Sequence, residues 1–252
     1  MPNNDVCQFL PWDTDFFGFR VARVCENTLT AQTLQQAGEF CRRNEIRCLY
    51  FLAGIEDPTT TGLAEAHGFH YADIRVTFEH KLPFKGHTFE HTDGVALRPA
   101  KPVDIPTLVE IARDSYVASR FYYDPNFSRL ASGHLYETWI KVSCEGYAQT
   151  VWVAEVDGEA VGYITCHVDE TPRRGRIGLV GVGSKAQGRG IGKLLVQRGL
   201  AWFSEQGLPL ATVVTQGRNI QAQRLYQRCG FVTQALQLWY HKWYPEEDKP
   251  ES

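Results

Sequence analysis

Residues 176–206 read RIGLVGVGSKAQGRGIGKLLVQRGLAWFSEQ, and they are the most informative stretch of the chain. The apolar run Arg176–Val182 predicts a strand, and the periodic apolar residues of Gly190–Gln206 predict a helix. The loop between them holds three glycines among six residues: Gln187, Gly188, Arg189, Gly190, Ile191 and Gly192. Glycines let the backbone approach a ligand closely, and a helix start offers unpaired N–H groups and a positive dipole end. The pattern predicts a pyrophosphate cradle, with a ligand-free strand-to-helix turn as the alternative.

Two other phosphate-binding patterns fit this stretch poorly. A Walker A loop requires Lys and then Ser or Thr after its second glycine, whereas Arg189-Gly190 follow Gly188. Residues 181–186 match the dinucleotide pattern G-x-G-x-x-A, but that fold needs an acidic residue at the end of the next strand, which ends in Gln216. A P-loop nucleoside triphosphatase is therefore disfavoured, and a dinucleotide-dependent oxidoreductase is kept only as a lower-ranked alternative.

The neighbouring elements extend the pattern on both sides. Val151–Val156 and Ala160–Val168 flank Asp157-Gly158, and Asp-Gly between two apolar runs is a strong hairpin signal. Downstream, Leu210–Thr215 predicts a strand and Asn219–Cys229 predicts a helix. An antiparallel hairpin ahead of the loop disagrees with a doubly wound parallel sheet.

Two motifs in these elements together resemble the GCN5-related N-acetyltransferase (GNAT) family. The first is Q-x-x-G-x-G at 187–192, and the second is Asn219-x-x-Ala222-x-x-x-Tyr226-x-x-x-Gly230-Phe231. They occur in the family's order and at its spacing, and the resemblance covers about residues 94–244. It implies an α/β (α+β) protein with the GNAT fold, a central mixed, mostly antiparallel sheet flanked by helices. It also implies acetyl-CoA as co-substrate and no metal.

The resemblance assigns roles to individual residues. Tyr226 matches the family's general acid, which protonates the leaving thiolate, and Asn219 matches the residue that holds the pantetheine arm. Arg224 is a candidate contact for a coenzyme A phosphate. The end of the strand before the glycine-rich loop is expected to splay from its neighbour, so that its backbone pairs with pantetheine and one N–H stabilises the oxyanion. The residues of this segment are Leu179, Val180, Gly181 and Val182. Gly181 within a strand indicates a bulge or a close approach.

Each of these roles has a plainer alternative. Tyr226 fits a core aromatic of an amphipathic helix, Asn219 fits a helix N-cap, and Arg224 fits an exposed helical side chain. A phenol with a pKa of about 10 protonates a thiolate whose thiol has a pKa of about 8.5 at a cost of roughly 2 kcal/mol, which is small beside a catalytic barrier. Within the whole motif, the general acid is the favoured interpretation of Tyr226.

Other residues carry a narrower resemblance, to the family of dTDP-fucosamine acetyltransferases. They are Phe16-Phe17-Gly18, Ser119-Arg120-Phe121 and Leu135-Tyr136-x-x-Trp139-Ile140. Those enzymes acetylate the 4-amino group of a dTDP-4-amino-4,6-dideoxyhexose in surface-polysaccharide biosynthesis, and they pair a small N-terminal half-domain with a GNAT domain. The resemblance implies a nucleotide-sugar substrate whose amine attacks the thioester directly, without an acyl-enzyme.

The acceptor site is predicted in an aromatic segment, which consists of Arg120, Phe121, Tyr122 and Tyr123. Aromatic rings there would stack on thymine, and the arginine would pair with pyrophosphate. A segment that its aromatics anchor in the core is an equal alternative. Trp12 and Phe16-Phe17 are weaker candidates for the same site.

The stretches 63–82 and 224–243 resemble each other, which indicates either a degenerate half-copy of the second domain or a coincidence; the narrower resemblance adds a candidate general base in the first stretch. Each stretch predicts a short helix that ends in Gly-Phe and is followed by a long strand. Aligned on Gly68-Phe69, Asp73 matches a carboxylate proposed as the base in the similar enzymes. A solvated strand residue is the alternative interpretation of Asp73.

Length and segmentation indicate one and a half domains. At roughly 150 residues per domain, a chain of 252 residues falls between one and two. Residues 94–244 are the predicted acetyl-CoA-binding catalytic domain, 1–93 a partial GNAT-like domain, and 245–252 a tail. Local patterns predict helices over 30–44, 59–67, 104–119 and 128–144. They predict strands over 46–53, 69–81, 95–98 and 231–243. Between these elements they predict a linker over 83–93, a loop over 120–127 and a turn at 171–175.

Composition limits the partners and the location. With 26 Lys and Arg against 29 Asp and Glu, the formal charge is −3, which disfavours a nucleic-acid partner. The sequence shows neither an apolar run as long as a membrane span nor the basic and then apolar pattern of a signal peptide. We therefore expect no membrane partner and a cytoplasmic location. Seven cysteines without a C-x-x-C pair indicate neither a metal site nor a disulfide framework. A homodimer, another small-molecule or protein amine as acceptor, and a non-catalytic acyl-CoA-binding module stay open.

Overall fold

The structure, a computed structural model, describes residues 6–83 and 94–245. Contacts between residues divide it into two compact units. Within the described range, the first unit contains residues 6–75, 123–127 and 236–245, and the second contains 76–83, 94–122 and 128–235. The first unit is therefore assembled from segments that are far apart in the sequence.

Helices and strands alternate up to residue 83, whereas the later part of the described chain groups several helices and then several strands together. Up to residue 83 the elements are β1 (Cys7–Phe9), α1 (Pro11–Phe17), β2 (Val21–Val24), α2 (Ala31–Arg43), β3 (Cys48–Gly54), α3 (Pro58–Ala66) and β4 (His70–Lys81). From residue 94 they are β5 (Val95–Pro99), α4 (Ile105–Ser115), α5 (Arg120–Tyr123), α6 (Arg129–Val142), β6 (Thr150–Val156), β7 (Glu159–Glu170), β8 (Arg173–Val182), α7 (Ile191–Glu205), β9 (Leu210–Gln216), α8 (Ile220–Arg228) and β10 (Val232–Trp243). Strands β4 and β10 each pass from one unit into the other.

In the first unit, three N-terminal strands join the end of β10. Strand β1 is antiparallel to β2, and β2 is parallel to β3. Strand β3 pairs antiparallel with β10 over seven residues, as far as Trp243. The core beneath them includes Ala37 and Cys41 of α2, Phe51 of β3 and Tyr240 of β10. Burial of these apolar side chains holds the last strand of the chain to an early one.

In the second unit, strands β5 to β8 form an antiparallel ladder, and β9 adds a parallel strand beside β8. Helix α7 packs closely on this ladder. A Cβ atom built on Gly199 of the helix would lie 3.0 Å from Cδ1 of Ile164, and one on Gly175 would lie 2.5 Å from the ring of Phe203. Glycine at both positions therefore permits the close contact of helix and sheet.

Side chains cap the helices that the sequence predicts. At the start of α2, Oγ1 of Thr30 accepts a hydrogen bond from the N–H of Thr33 at 3.1 Å. At the start of α6, Oγ of Ser128 accepts from the N–H of Ala131 at 3.0 Å. A cap of this kind satisfies one N–H that has no helical partner and contributes about 1 kcal/mol. The predicted cap at Ser128 is confirmed.

The predicted fold class is confirmed, and several local predictions need correction. The sheet is mixed and mostly antiparallel, as expected. The sequence reading missed β1, α1 and β2, because elements this short carry too few residues to show a period. The helix predicted over 104–119 ends at Ser115, and the predicted loop 120–127 begins with the four-residue helix α5. Strand β8 starts at Arg173, so Gly175 lies in a strand beneath Phe203 and not in a turn.

The predicted domain limits stay predictions. Residues 84–93 of the expected linker and 246–252 of the expected tail lie outside the described residues. None of the helices within 6–83 and 94–245 has the length and apolar character needed to cross a membrane.

Candidate active site

Strands β8 and β9 lie side by side only at their beginnings. Among the described residues, their parallel register runs from Gly175 opposite Ala211 to Ile177 opposite Val213. Both strands continue beyond this point, β8 to Val182 and β9 to Gln216. The predicted splay is therefore present, and it begins after Ile177.

A β-bulge marks the point where the splay begins. Between β7 and β8, Ile164 lies opposite Val180 but Cys166 lies opposite Ile177, so β8 carries one extra residue there. The N–H of Leu179 donates to Oγ1 of Thr165 at 2.8 Å. A bulge of this type bends the strand and disrupts the local ladder. The sequence placed an irregularity at Gly181, whereas the bulge lies at residues 178–179.

Gly181 has a different reason to be glycine. A Cβ atom at this position would lie 2.8 Å from the ring of Tyr163, its cross-strand partner. The predicted close approach is therefore present, and the side chain that makes it is Tyr163.

The bulge sets the direction of the backbone groups that follow it. Successive N–H groups of a strand point to opposite edges, so the N–H of Val180 points away from β7 if that of Leu179 points toward it. Val182 agrees with this alternation: its carbonyl accepts from Nε2 of Gln187 at 3.1 Å, while the N–H of the next residue, Gly183, donates to the carbonyl of Val161 at 2.9 Å, on the side of β7. Val180 and Val182 therefore face the edge that β9 leaves open.

The glycine-rich loop leads from this open edge to the start of α7. Gly188 and Gly190 have φ values of 79° and 78°, which L-residues with a side chain rarely adopt. Gly190 is the N-cap residue of α7, and residues 187–190 are all exposed, Arg189 included. Ile191 is buried and anchors the first turn. The helix start can therefore present N–H groups and a positive dipole end to a pyrophosphate, as coenzyme A requires.

Helix α8 meets α7 at Gly192, where a Cβ atom would lie 3.3 Å from Leu225. Oδ1 of Asn219 caps α8 by accepting from the N–H of Ala222 at 3.1 Å, which confirms the N-cap interpretation. Arg224 is exposed. Contacts of Asn219 with pantetheine and of Arg224 with phosphate stay predictions.

Tyr226 is buried within the second unit, with 5% of its surface exposed. Its ring centroid lies 6.1 Å from that of Phe78 and 5.9 Å from that of Phe231. Burial, with a smaller effect of Cys229, raises the pKa of Tyr226 above its usual range. The phenol therefore holds its proton at neutral pH, as a proton donor must, but it is also a weaker acid than in water.

Cys229 does not have the properties of a nucleophile. Burial raises the pKa of this thiol to about 11, against an opposing effect of Lys193. The thiol form predominates at neutral pH, and only the thiolate attacks a thioester efficiently.

Two tyrosines that the sequence reading missed adjoin this region. The hydroxyl groups of Tyr116 and Tyr163 lie 3.2 Å apart, and the ring of Tyr116 stacks on Tyr136 at 4.4 Å. Burial raises the pKa of Tyr116, and the nearby Tyr163 and Tyr226 raise it further. Tyr116 directly follows α4 and Tyr163 lies on β7, 47 residues further on, so no local pattern in the sequence joins the two.

The predicted acceptor segment contains both buried and exposed side chains. Phe121 is buried and its carbonyl accepts from Oγ of Ser132 at 2.9 Å, so this ring anchors the segment. The guanidinium of Arg120 lies 4.6 Å from the Phe121 ring centroid. Tyr122 is partly exposed and Tyr123 is 59% exposed. Contact of these residues with an acceptor stays a prediction.

Asp73 lies on β4 in the first unit, whereas the predicted coenzyme-binding residues lie in the second. Its side chain is buried, and its Oδ1 accepts from the N–H of Ile74 at 2.8 Å. The solvated-strand alternative is therefore wrong, and the role as a base stays a prediction.

Comparison with known proteins shows that this fold and site are those of an acetyltransferase family. Residues 106–231, half of the 252-residue chain, match the acetyltransferase (GNAT) family. The chain belongs to the GNAT family, and membership implies acetyl-CoA as the co-substrate.

Two curated relatives illustrate the similarity. The spore coat polysaccharide biosynthesis protein SpsD of Bacillus subtilis is 32% identical over 160 residues, which cover 61% of this chain and 52% of SpsD. A mycothiol acetyltransferase of Streptomyces griseus is 38% identical over 89 residues, which cover 35% of this chain and 29% of that protein. The matches thus span about half of the first relative and under a third of the second.

Solved structures share the fold over nearly the whole chain. A GCN5-related N-acetyltransferase from Sphaerobacter thermophilus superposes with a TM-score of 0.67 at 17% identity, covering 96% of this chain and 78% of that one. A tandem GNAT protein from the clavulanic acid biosynthesis pathway gives 0.59 at 16% identity, covering 90% and 76%. Coverage by a tandem protein agrees with the predicted N-terminal half-domain of similar type.

Proposed function

We propose that this protein is an N-acetyltransferase that moves acetyl from acetyl-CoA to the amino group of a nucleotide-linked amino sugar in the cytoplasm. The observation that carries the acetyl-transfer part is the open edge of β8 beside the exposed, glycine-rich start of α7, within a chain of the GNAT family. The open edge suits an extended amide-containing arm, and the helix start suits a pyrophosphate.

The proposed reaction is a direct attack. The neutral amine nitrogen forms a bond to the carbonyl carbon, the carbon–sulfur bond breaks, the amine releases a proton to a base, and Tyr226 gives its proton to the departing thiolate. The N–H of Val180 faces the open edge and is the candidate donor to the carbonyl oxygen as negative charge develops there. Tyr226 then regains a proton from solvent.

The proposed acceptor is a dTDP-4-amino-4,6-dideoxyhexose used in surface-polysaccharide biosynthesis. Support comes from the narrower motif resemblance at residues 16–18, 119–121 and 135–140, and from 32% identity to a polysaccharide biosynthesis protein. The similarity to a mycothiol acetyltransferase supports a second candidate, a small-molecule amine without a nucleotide.

Acetyl transfer over a panel of amines separates these candidates. The panel contains dTDP- and UDP-linked amino sugars, the same sugars without nucleotide, polyamines and a lysine peptide, with release of the coenzyme thiol as the readout. We expect the highest kcat/KM on a dTDP-linked 4-amino sugar. Activity on free amines with none on any nucleotide sugar would overturn the acceptor proposal but not acetyl transfer.

A further inference from the structure

A buried threonine and a buried histidine lie directly beneath the bulge of β8. Thr165 is fully buried and His167 is 4% exposed, and both belong to β7. They face Gly178, where a Cβ atom would lie 2.6 Å from Oγ1 of Thr165 and 2.6 Å from Nε2 of His167. These two polar side chains therefore fill the space that a side chain on β8 would otherwise occupy.

Their hydrogen bonds form a chain that ends on the backbone of β8. Oγ1 of Thr165 accepts from the N–H of Leu179 at 2.8 Å, and it lies 3.4 Å from Nε2 of His167. Burial, with Arg176 nearby, lowers the pKa of His167 to about 4, so the imidazole is neutral at pH 7. The threonine proton can therefore point to Nε2 while its oxygen receives the N–H of Leu179.

This arrangement replaces a ladder hydrogen bond that the bulge removes. A buried N–H without a partner costs about 1–3 kcal/mol. The hydroxyl of Thr165 removes this cost by accepting the N–H of Leu179, which a methyl group at the same place could not do. Without the extra residue, β8 would pair regularly with β7. A shift by one residue would then turn the N–H of Val180 toward β7 and away from the open edge.

We propose that Thr165 and His167 are positioning residues for acetyl transfer: they hold the bulge at Gly178 and Leu179 and thereby keep the backbone of Val180 and Val182 directed to the open edge of β8. The inference rests on the proposed function, since acetyl-CoA is the ligand expected at that edge. Neither side chain is expected to touch the acetyl group.

The test compares Thr165→Val, which removes only the hydroxyl, with Thr165→Ser, which keeps it. Dissociation constants for acetyl-CoA are measured by calorimetry, and Tm is measured for each variant. We expect about ten-fold weaker binding for Thr165→Val and native affinity for Thr165→Ser. Thr165→Val loses buried hydrogen bonds and Thr165→Ser loses a buried methyl group, so both should melt below the native protein. Affinity for acetyl-CoA that follows Tm and not the presence of the hydroxyl would overturn the proposal.

Thr212→Val is the matched control. Thr212 is also buried, and its hydroxyl donates to the carbonyl of Gly175 at 3.2 Å, in the part of β8 that still pairs with β9. We expect native affinity for acetyl-CoA in this variant. An equal loss in Thr212→Val and Thr165→Val would overturn the proposal, because it would indicate a general effect of a lost buried hydroxyl.

Hydrogen exchange on the native protein gives an answer even if Thr165→Val does not fold. The Leu179 amide should exchange slowly, as a buried hydrogen-bonded group does, and rapid exchange would overturn the inference. Native protein that fails to bind acetyl-CoA while its Leu179 amide is protected would instead contradict the proposed function.

Discussion

Oδ2 of Asp124 accepts a hydrogen bond from Nδ1 of His241 at 2.6 Å, and both side chains are buried in the first unit. The same Oδ2 accepts from Nε1 of Trp243 at 2.9 Å, while Oδ1 accepts from the N–H of Asn126 at 3.0 Å. This carboxylate fastens residues 123–127 to β10. It immediately follows the predicted acceptor segment, so it also fixes the end of that segment.

The first prediction concerns stability in acid. Burial opposes ionisation of Asp124, but hydrogen bonds from His241, Asn126 and Trp243 outweigh it and lower its pKa to about 2. An unfolded aspartate titrates at about 3.9, so the ionised form contributes roughly 2 kcal/mol above about pH 4. That contribution is lost as the pH falls from about 4 toward 2.

Denaturant unfolding of Asp124→Asn over this pH range checks the prediction. We expect a free energy of unfolding lower by roughly 2 kcal/mol at neutral pH and a flatter acid dependence than in the native protein. Asp15→Asn, at an exposed position of α1, should leave both quantities unchanged. A native acid slope in Asp124→Asn would contradict the assignment of the slope to this carboxylate.

The second prediction concerns the general acid. Tyr226→Phe should lower kcat by about 100-fold or more and leave the dissociation constant of acetyl-CoA unchanged, because only proton transfer is lost. Since burial raises the pKa of Tyr226, the native kcat should show no alkaline decline below about pH 10. Tyr240→Phe, which removes a hydroxyl that bonds Glu65 at 3.2 Å, is the control and should retain kcat. An unchanged kcat in Tyr226→Phe would exclude the role.

The third prediction concerns the base. If Asp73 removes a proton from the amine, Asp73→Asn should lower kcat by up to about ten-fold at pH 7, where a tenth of an amine with a pKa of about 8 is neutral. The deficit should vanish by about pH 9, where the amine is neutral without help. Asp57→Asn, which keeps a cap for α3, should show no such pH-dependent loss. A deficit equal at both pH values would assign Asp73 a structural role.

The fourth prediction separates strain from binding in the glycine-rich loop. Gly190 and Gly207 lie at opposite ends of α7 with positive φ values of 78° and 64°. Alanine at either position should destabilise the fold by about 1 kcal/mol, because both impose the left-handed conformation. Only Gly190→Ala should also weaken acetyl-CoA binding. Equal affinity in the two variants would exclude the loop from the coenzyme site.

The sequence predicted the second unit better than the first. The glycine-rich loop, the Asp-Gly hairpin and the Asn219 cap are local signals, and the structure confirms each element they predict. The first 24 residues gave no such signal, because β1, α1 and β2 are too short for a periodic pattern.

The parts that could not be predicted depend on partners far along the chain. Gly178 and Gly181 are both visible in the sequence, but which of them marks the bulge is decided by Thr165 and Tyr163 on the neighbouring strand. Likewise, Asp124 and His241 are 117 residues apart, and no local pattern could pair them.

The pairing of β3 with β10 has a consequence for how the chain is made. Strand β3 leaves the ribosome long before residues 237–243, which complete its sheet edge. Until translation reaches those residues, the backbone edge of β3 has no β10 strand to pair with, and the buried ring of Phe51 lacks the core contact of Tyr240. The N-terminal segment 6–75 is therefore synthesised first but cannot complete its sheet until residues 237–243 have been made.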